Sequence, residues 1–427
     1  MIGLYDWLTP SLTVLSPSLV QSVLIKDFDH FVDRRTFHFN DEILDEMLTT
    51  VTGNHWKGIR SVLTPTFTSG KMKNMFHLVA EKADQLVKAC RDQRDHLSRI
   101  TMPSLFGSFA MDVIGSCAFG MEINSLKNEN SAFVDNARAL FKTSKTRMAR
   151  FLIMVLFPKL AKRLGVNLST PQINSLAASL RQTIAARQGS PKRGDFVDLM
   201  LEARDSNDEQ NLARPHKYKL SDNSIVAQSL LFIVAGYDTT SNSLTTAVHC
   251  LAKYTSCQQK VRTELAALGT AEDITYQDIM EAPYLDAFVA EALRLFPPTT
   301  FTERRCTKTY TIPGSSITVP EGMMVSVPIW SLHRDEEYYP DPEQFKPERF
   351  LSGNKEKIPS GAYLPFGMGP RMCIAQRFAL MGIKLAIAKI VLNFQLDIAE
   401  GFEEIKYKMS PGTQRPEENM MVVMKAL

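Results

Sequence analysis

The sequence lacks the features that mark secreted and nucleic-acid-binding proteins. Its six cysteines lie far apart, and no two of them have C-x-x-C spacing. In a chain of 427 residues they therefore indicate reduced thiols in a cytosol-facing protein, not a disulfide framework. The 49 Lys and Arg against 46 Asp and Glu leave a net charge of only +3, which is too small to indicate a nucleic-acid partner. Internal repeats and low-complexity tails are also absent from the sequence.

Long apolar runs are absent as well. No stretch reaches the roughly 20 apolar residues that a membrane-spanning helix needs. The first seven residues do not show the basic region and apolar core of a signal peptide. The most apolar candidate, residues 151–157, ends at Pro158, and basic residues flank it: Arg147, Arg150, Lys159, Lys162 and Arg163. This pattern suits a segment lying on a membrane surface, and it suits a buried loop or helix end equally well.

What the sequence does contain is a generous apolar fraction, 44%, arranged mostly with helical spacing. The spacing predicts helices over 71–90, 101–119 (buried), 284–296 and 374–394, and a long helix from an N-cap at Ser221 to about 254. The polar run 204–219 is typical of a loop. Between 299 and 327 the period changes to short β runs separated by Pro and Gly turns. We therefore expect a mainly α fold with a small β-rich lobe. The length of 427 residues suits two or three domains of average size, or one large enzyme domain.

One cysteine stands where its chemistry can be used. Residues 366–373 read F-G-M-G-P-R-M-C, which places Cys373 at the end of a Gly-rich loop directly before a helix. Backbone N–H groups and the positive helix N-terminus stabilise a thiolate, the form that binds metal. Gly367 and its neighbours allow the backbone to lie against a large planar ring, and Arg371 can meet an anionic substituent of that ring. The alternative, an inert cysteine at a helix start, would be preferred for a cysteine outside such a motif.

Other short patterns occur in a characteristic order: Trp56 with Arg60, A-G-Y-D-T-T at 235–240, E-x-x-R at 291–294, P-E-R-F at 347–350 and F-x-x-G-x-R-x-C at 366–373. Over nearly its whole length the sequence thereby resembles the cytochromes P-450, which are haem-thiolate monooxygenases. The run P-T-F-T-S-G-K at 65–71, with Arg34-Arg35 and L-F-P at 295–297, most resembles the animal microsomal branch (clan 3), which oxidises steroids, drugs and other foreign compounds.

The resemblance implies a single haem-thiolate domain over residues 1–427. Its haem b cofactor is held between the long helix and the Cys373 loop, with Cys373 as the axial ligand of iron. Residues implied to contact the haem are Phe366, Gly367, Arg371, Trp56, Arg60, Arg304, Arg34, Ala235 and Gly236. Arg305, the next residue, would make this haem contact in place of Arg304 if the strand register were shifted by one residue. Taken alone, Arg34 would be ordinary surface charge.

Asp238 and Thr239 are implied to hold water and deliver protons beside a groove for O₂ at Gly236. A mid-helix glycine destabilises a helix by about 1 kcal/mol relative to alanine, and a groove at Gly236 would explain its presence. The alternative for Thr239 is that its hydroxyl bonds only to the backbone of its own helix, which is common. The substrate pocket is implied to include Leu231, Val234, Ala235, Thr239, Thr299 and Phe301, which suits a lipophilic molecule. Glu291 and Arg294 are spaced to pair on one helix face, and the resemblance joins them with Arg349 in a structural network.

Partners follow from the same resemblance. Electrons are expected from NADPH through a flavoprotein reductase, with cytochrome b5 as a further donor. Five basic residues are expected to face the acidic surface of the reductase: Lys57, Lys71, Lys73, Arg377 and Lys384. The expected location is the cytosolic face of the endoplasmic reticulum membrane, with peripheral contact.

Two departures from the family pattern stand out. Ala375 occupies a position where the family usually has Gly, which affects ring packing rather than ligation. The sequence also starts after the family's membrane anchor, Pro-rich hinge and first helix, and 3–24 already resemble the first strands of its sheet, so we expect a fragment or truncated isoform.

Two other functions therefore remain open. The first is a haem-thiolate isomerase that rearranges a peroxide without reductase or O₂, against which Thr239 and Asp238 argue. The second is a non-catalytic truncated product.

Overall fold

The computed structural model describes residues 1–6, 9–127, 132–140, 145–189, 191–205, 218–408 and 413–427. Its helices are α1 (Pro17–Gln21), α2 (Gly53–Leu63), α3 (Ser69–Asp92), α4 (Met102–Ile114), α5 (Ala132–Leu140), α6 (Lys145–Leu156), α7 (Pro158–Arg163), α8 (Pro171–Arg187), α9 (Phe196–Asp205), α10 (Asp222–Lys253), α11 (Thr255–Ala266), α12 (Tyr276–Glu281), α13 (Pro283–Leu295), α14 (Ile329–Leu332) and α15 (Gln376–Asn393). Its strands are β1 (Ile2–Asp6), β2 (Thr9–Thr13), β3 (Arg99–Thr101), β4 (Thr302–Arg305), β5 (Tyr310–Thr311), β6 (Thr318–Val319), β7 (Met324–Val327), β8 (Phe394–Ile398), β9 (Tyr407–Lys408), β10 (Arg415–Pro416) and β11 (Met421–Ala426). The fold is mainly α with short strands, as predicted.

The predicted helices agree closely with α3, α10, α13 and α15. Ser221 caps α10 as expected, because its Oγ accepts the Ser224 N–H at 3.0 Å. Most of the predicted loop 204–219 lies outside the described residues, and its first two residues end α9. The prediction of strands over 3–24 is wrong beyond Thr13, because α1 begins at Pro17, a residue whose fixed φ suits the first turn of a helix.

The described residues form two compact units, each assembled from separate segments. The first consists of Met1–Val32, Met72–Ala110 and Asp238–Leu427, and the second of Asp33–Lys71 and Met111–Tyr237. The change of unit within α10 falls between Tyr237 and Asp238. The single domain over 1–427 stays a prediction.

All of the described strands belong to the first unit, where they make up the β-rich part. Its largest sheet has the order β1-β2-β7-β4, in which β2 and β7 are parallel and the other neighbours antiparallel. The sheet packs on a buried apolar cluster that includes Leu24, Phe31, Val325 and Leu364. Because Leu364 lies two residues before Phe366, this core anchors the start of the cysteine loop.

The second unit is helical in its described residues. The rings of Phe67, Phe196 and Phe232 pack together with centroids 4.6 to 5.6 Å apart. Arg187 pairs with Asp195 at 2.6 Å and with Asp198 at 3.4 Å and ties the ends of α8 and α9 to each other.

Among the described residues, one helical stretch, Met102–Phe119, is long and apolar enough to cross a membrane. It is 89% buried inside the protein. The prediction of a buried helix over 101–119 is therefore confirmed.

Candidate haem-binding and active site

Cys373 differs from the other five cysteines in its exposure. Its side chain is exposed, whereas Cys90, Cys117, Cys250, Cys257 and Cys306 are all buried. The loop is closed by main-chain hydrogen bonds, with the Cys373 N–H donating to the Phe366 carbonyl at 2.8 Å. A tight loop thus presents one accessible thiol directly before α15.

Two glycines give this loop its shape. Gly367 and Gly369 have φ of 71° and 75°, in the left-handed region that favours glycine. A Cβ at Gly369 would collide with the Leu24 carbonyl oxygen, so the loop can pack on the first unit's core only with glycine there. At Gly367 the nearest atom to a Cβ would be Met372 Cα at 3.8 Å, so its requirement is the backbone conformation alone.

The buried cysteines are poor candidates for a thiolate ligand. Burial raises the pKa of Cys90 to about 12 and raises the pKa values of Cys250 and Cys306. A thiol that holds its proton neither binds iron nor reacts readily. This contrast favours Cys373 as the ligand.

Behind the loop lies a fully buried charge network on α13. Arg294 Nε donates to Glu291 Oε2 at 2.7 Å, and both side chains are 0% exposed. Arg349 Nε lies 3.5 Å from Glu291 Oε1, and the Lys346 N–H donates to the same oxygen at 2.7 Å. The three residues therefore meet, and their support of a haem site stays a prediction.

His333 belongs to this network, although it lies in none of the sequence motifs. The ring is buried, with Nδ1 3.0 Å from the Arg294 carbonyl oxygen, and Nε2 accepts the Leu364 N–H at 2.8 Å. Because a carbonyl oxygen only accepts, Nδ1 carries the proton and Nε2 is free to accept. Burial lowers the pKa of His333 to about 3, so the ring is neutral. It joins α13 to the segment that leads into the cysteine loop.

Sequence periodicity could not have singled out His333. A lone histidine after a short helix carries no motif that distinguishes it from the other seven. Only the burial of its ring and its two main-chain partners identify it.

Buried cations accompany the loop in the first unit. Arg304 on β4 is 1% exposed and donates through Nη1 to Thr302 Oγ1 at 3.1 Å and to the Glu303 carbonyl at 2.9 Å. Arg371 is 4% exposed, and its Nε donates to the Val32 carbonyl at 2.7 Å. A carboxylate beside a buried guanidinium offsets part of the cost of burying its charge, and haem propionates are carboxylates. With the accessible thiol, these residues fit a haem.

The second unit holds the remaining predicted haem contacts. Trp56 is 4% exposed on α2, with the half-buried Arg60 one helical turn further on. Arg34 is half-buried. Their contact with a propionate stays a prediction.

Helix α10 changes its burial pattern where the A-G-Y-D-T-T run occurs. Residues 225–231 and 241–251 are buried, whereas every residue of 234–240 is half-buried or exposed, Ala235 most of all. A Cβ at Gly236 would approach Ile114 Cδ1 to 2.9 Å, so close packing already gives a reason for glycine. The groove for O₂ at Gly236 stays a prediction.

Asp238 and Thr239 lie in this open part of the helix. Asp238 Oδ2 is 2.7 Å from Arg415 Nε, and the Thr239 carbonyl accepts a hydrogen bond from Ser243 Oγ at 2.8 Å. Burial raises the pKa of Asp238, and the Arg415 charge opposes that rise. Arg415 lies far from Asp238 along the chain and in no motif, so sequence patterns could not have pointed to it.

The predicted pocket residues are divided between the units. Leu231 and Val234 lie in the second, and Thr299 and Phe301 in the first. Phe301 is 40% exposed and Leu231 is buried. Their participation in one pocket stays a prediction.

One predicted docking residue is wrongly assigned. Lys384 is 1% exposed, and its Nζ lies 2.8 Å from Asp286 Oδ1, so it cannot face a partner. Helical spacing put it on α15 but did not show that its face is covered. Lys73 and Arg377 are exposed, and Lys57 and Lys71 are half-buried.

Beside the cysteine loop, a cleft of about 400 Å³ is lined by residues that include Lys355, Tyr363, Phe366 and Met368.

Comparison with known proteins shows the family to which the chain belongs. The family model for cytochrome P450 matches residues 1–424. Cytochrome P450 3A29 of Sus scrofa is 38% identical over 410 residues, 92% of this chain and 78% of the relative. Cytochrome P450 3A56 of Fundulus heteroclitus is 36% identical over 409 residues (94% and 81%), and cytochrome P450 3A7 of Homo sapiens is 37% identical over 401 (92% and 78%). The chain belongs to the cytochrome P450 family and is a haem-dependent monooxygenase.

Proposed function

We propose that this monooxygenase binds haem b through Cys373 and oxidises lipophilic molecules with electrons from NADPH, delivered by a flavoprotein reductase. The observation that carries the proposal is the accessible Cys373 thiol at the end of a glycine-shaped loop, in a chain whose other cysteines are buried. Foreign compounds and steroids are the substrate classes that the family resemblance suggests.

The proposed roles of the chain's own residues follow from their positions. The haem, when bound, supplies the iron that binds and activates O₂. The Cys373 loop holds the thiolate in place, and the network of Glu291, Arg294 and His333 fixes the segments on which the loop rests. Asp238 and Thr239 hold water and pass protons inward along the open part of α10.

Docking of the electron donor is proposed on the face that carries the cleft beside the cysteine loop. Met368 and Phe366 of the loop line this cleft, and the exposed Arg377 lies four residues after Cys373. Exposed cations attract an acidic partner and speed its association. Cytochrome b5, which is also expected to be acidic, is proposed as a further donor at this face.

Peripheral contact with the endoplasmic reticulum membrane is proposed for helices α6 and α7. Ile153, Leu156, Phe157, Leu160 and Leu164 are exposed there, between 37% and 65%. Basic residues surround them, a combination that favours reversible binding to anionic lipid surfaces.

The membrane proposal can be tested by co-sedimentation with anionic and neutral vesicles. Phe157→Asp with Leu160→Asp should release the protein, and high salt should weaken wild-type binding. Phe151 is unsuitable for this test because its ring packs on Phe37 with centroids 5.2 Å apart. Unaltered sedimentation of the double variant would contradict the proposal.

Turnover with purified reductase tests the function itself. Product should form only with NADPH, reductase and O₂ together. Rearrangement of an organic hydroperoxide without reductase, at a rate exceeding that of this reaction, would instead support the isomerase.

Thr239→Ala tests the proton-delivery role. Product per NADPH should fall while hydrogen peroxide released to solution rises. Thr246→Ala is the matched control, because Thr246 Oγ1 only donates to the Ser243 carbonyl at 3.1 Å. Equal coupling in both variants would show that the Thr239 hydroxyl is an ordinary helix group.

A further inference from the structure

The C-terminal hairpin, residues 407–408 and 413–416, is anchored through its main chain within the first unit. Asn242 Nδ2 on α10 donates to the Gln414 carbonyl at 2.9 Å. The Gln414 N–H donates to the Pro298 carbonyl at 3.0 Å, and Thr299 forms an antiparallel bridge with Thr413. These contacts fix the hairpin backbone without any contribution from the next side chain, Arg415.

The Arg415 side chain extends from this anchored backbone to helix α10. Its Nε lies 2.7 Å from Asp238 Oδ2, and the two side chains are 27% and 16% exposed. Asn242, one turn further along α10, also favours the charged form of Asp238 and so opposes the rise of its pKa. The carboxylate is therefore paired with a cation beside a polar amide, next to Thr239 and within reach of solvent.

The electrostatic balance at Asp238 depends on Arg415. Burial raises the pKa of Asp238, and Arg415 is the charged group that faces it from the hairpin and opposes the rise. Asn242, which faces it from α10, is neutral. Loss of the guanidinium would leave burial to act alone and would raise the pKa of Asp238 further.

We propose that Arg415 is a positioning residue for proton delivery, which holds the Asp238 carboxylate ionised at the hairpin between transfers, so that each transfer requires the pair to open. The proposal rests on the proposed role of Asp238 and Thr239. In each transfer the carboxylate takes a proton from a hydronium ion of the solvent, whose O–H bond breaks to leave water. The new O–H bond of the carboxyl group then breaks as the proton passes to water held at Thr239. The carboxylate then pairs with Arg415 again, so the pair neither consumes nor releases protons over a cycle.

The pair itself is tested without turnover by a double-mutant cycle. Arg415→Gln and Asp238→Asn should each lower the midpoint of urea unfolding at neutral pH, and the double variant should fall no further than the single variants. Additive losses would show that the two side chains do not interact and would overturn the proposal.

The positioning role is tested by product formed per NADPH as a function of pH. In Arg415→Gln this ratio should fall on the order of tenfold at neutral pH, a part of what general acid–base catalysis contributes. The fall should be steepest toward acid, because a protonated Asp238 cannot accept a proton, and the midpoint of the profile should move to higher pH than in wild type. Arg415→Lys, which keeps the charge, should restore most of the coupling.

Lys408→Gln is the matched control. Lys408 lies opposite Arg415 in the hairpin, and its pair with Glu418 is 52% and 85% exposed. Its profile should equal that of wild type.

The outcomes of these measurements separate the role of Arg415 from that of Asp238. If Arg415→Gln keeps the wild-type profile while Asp238→Asn loses coupling, Arg415 has no positioning role and the role of Asp238 stands. If Arg415→Gln and Arg415→Lys lose activity equally with no shift of the profile, Arg415 is only structural and the proposal is wrong. If Asp238→Asn remains fully coupled, the underlying assignment of Asp238 fails instead.

Discussion

Two acid–arginine pairs in the first unit share their chemistry but differ in their contact with water. The Glu291–Arg294 pair is 0% exposed on both sides, and main-chain groups complete its hydrogen bonds. The Asp238–Arg415 pair is 16% and 27% exposed and joins a helix to a hairpin. Only the second can open without leaving a charge stranded in the protein interior.

Burial, and not the kind of residue, separates a structural pair from one suited to proton transfer. Removing one partner of a fully buried pair costs about 3–5 kcal/mol, since the remaining charge is uncompensated. A fully exposed pair is worth about 1 kcal/mol or less, and the partly exposed Asp238–Arg415 pair should lie between these two limits. The first pair should therefore affect folding, and the second chiefly the reaction.

The largest expected effect is that of Glu291→Gln. The change keeps the size of the side chain but leaves the buried Arg294 without its carboxylate, so the free energy of unfolding should fall by about 3–5 kcal/mol. Urea unfolding and the yield of folded haem protein measure it. Glu202→Gln is the control, because its pair with Lys192 is 44% and 71% exposed and its loss should cost far less than loss of the buried pair. Equal stability of the two variants would contradict the comparison.

An intermediate effect is expected from pH through His333. Its pKa is about 3 in the folded protein against about 6.5 in an unfolded chain, so below about 6.5 the unfolded state binds a proton that the folded state does not. The free energy of unfolding should therefore fall as pH falls from about 6.5 toward 3, by about 2 kcal/mol at pH ~5 for this residue.

His333→Gln should be less stable at neutral pH and should show a shallower loss in acid. Some slope should remain, because burial also lowers the pKa of His249, to about 4. Urea unfolding over this pH range gives the slopes. An unchanged slope would mean that the His333 ring is not the group that titrates.

The smallest effect on stability is expected for Asp238→Asn, well below that of Glu291→Gln, and it should shrink in high salt because the pair reaches solvent. Urea unfolding at low and high salt measures it. A loss as large as that of Glu291→Gln would place Asp238 among the structural charges and remove the contrast between the two pairs.

Local patterns in the sequence predicted much of the fold. Ser221 marks the start of α10, and the Pro and Gly turns between 299 and 327 mark the short strands. Residues 3–24 were misassigned after Thr13, because short apolar runs fit a strand or a helix equally. The i, i+3 spacing of Glu291 and Arg294 is local, and so their contact could be expected.

What the sequence could not indicate depends on distant contacts. Lys384 was predicted to be a surface cation, but its side chain is buried and pairs with Asp286, nearly a hundred residues earlier in the chain. The roles of His333 and Arg415 depend on partners at Leu364 and Asp238, which lie far from them along the chain. Pairs of this kind leave no periodic or motif signal and are visible only in the fold.

The spectrum of the reduced protein with CO tests the central claim, ligation by Cys373, most directly. Wild type should show a Soret band shifted strongly to the red, as thiolate ligation requires. Cys373→Ala should lose that band, while Cys90→Ala, which removes a buried thiol, should keep it. A red-shifted band that survives in Cys373→Ala, or is absent from folded, haem-loaded wild type, would contradict the account.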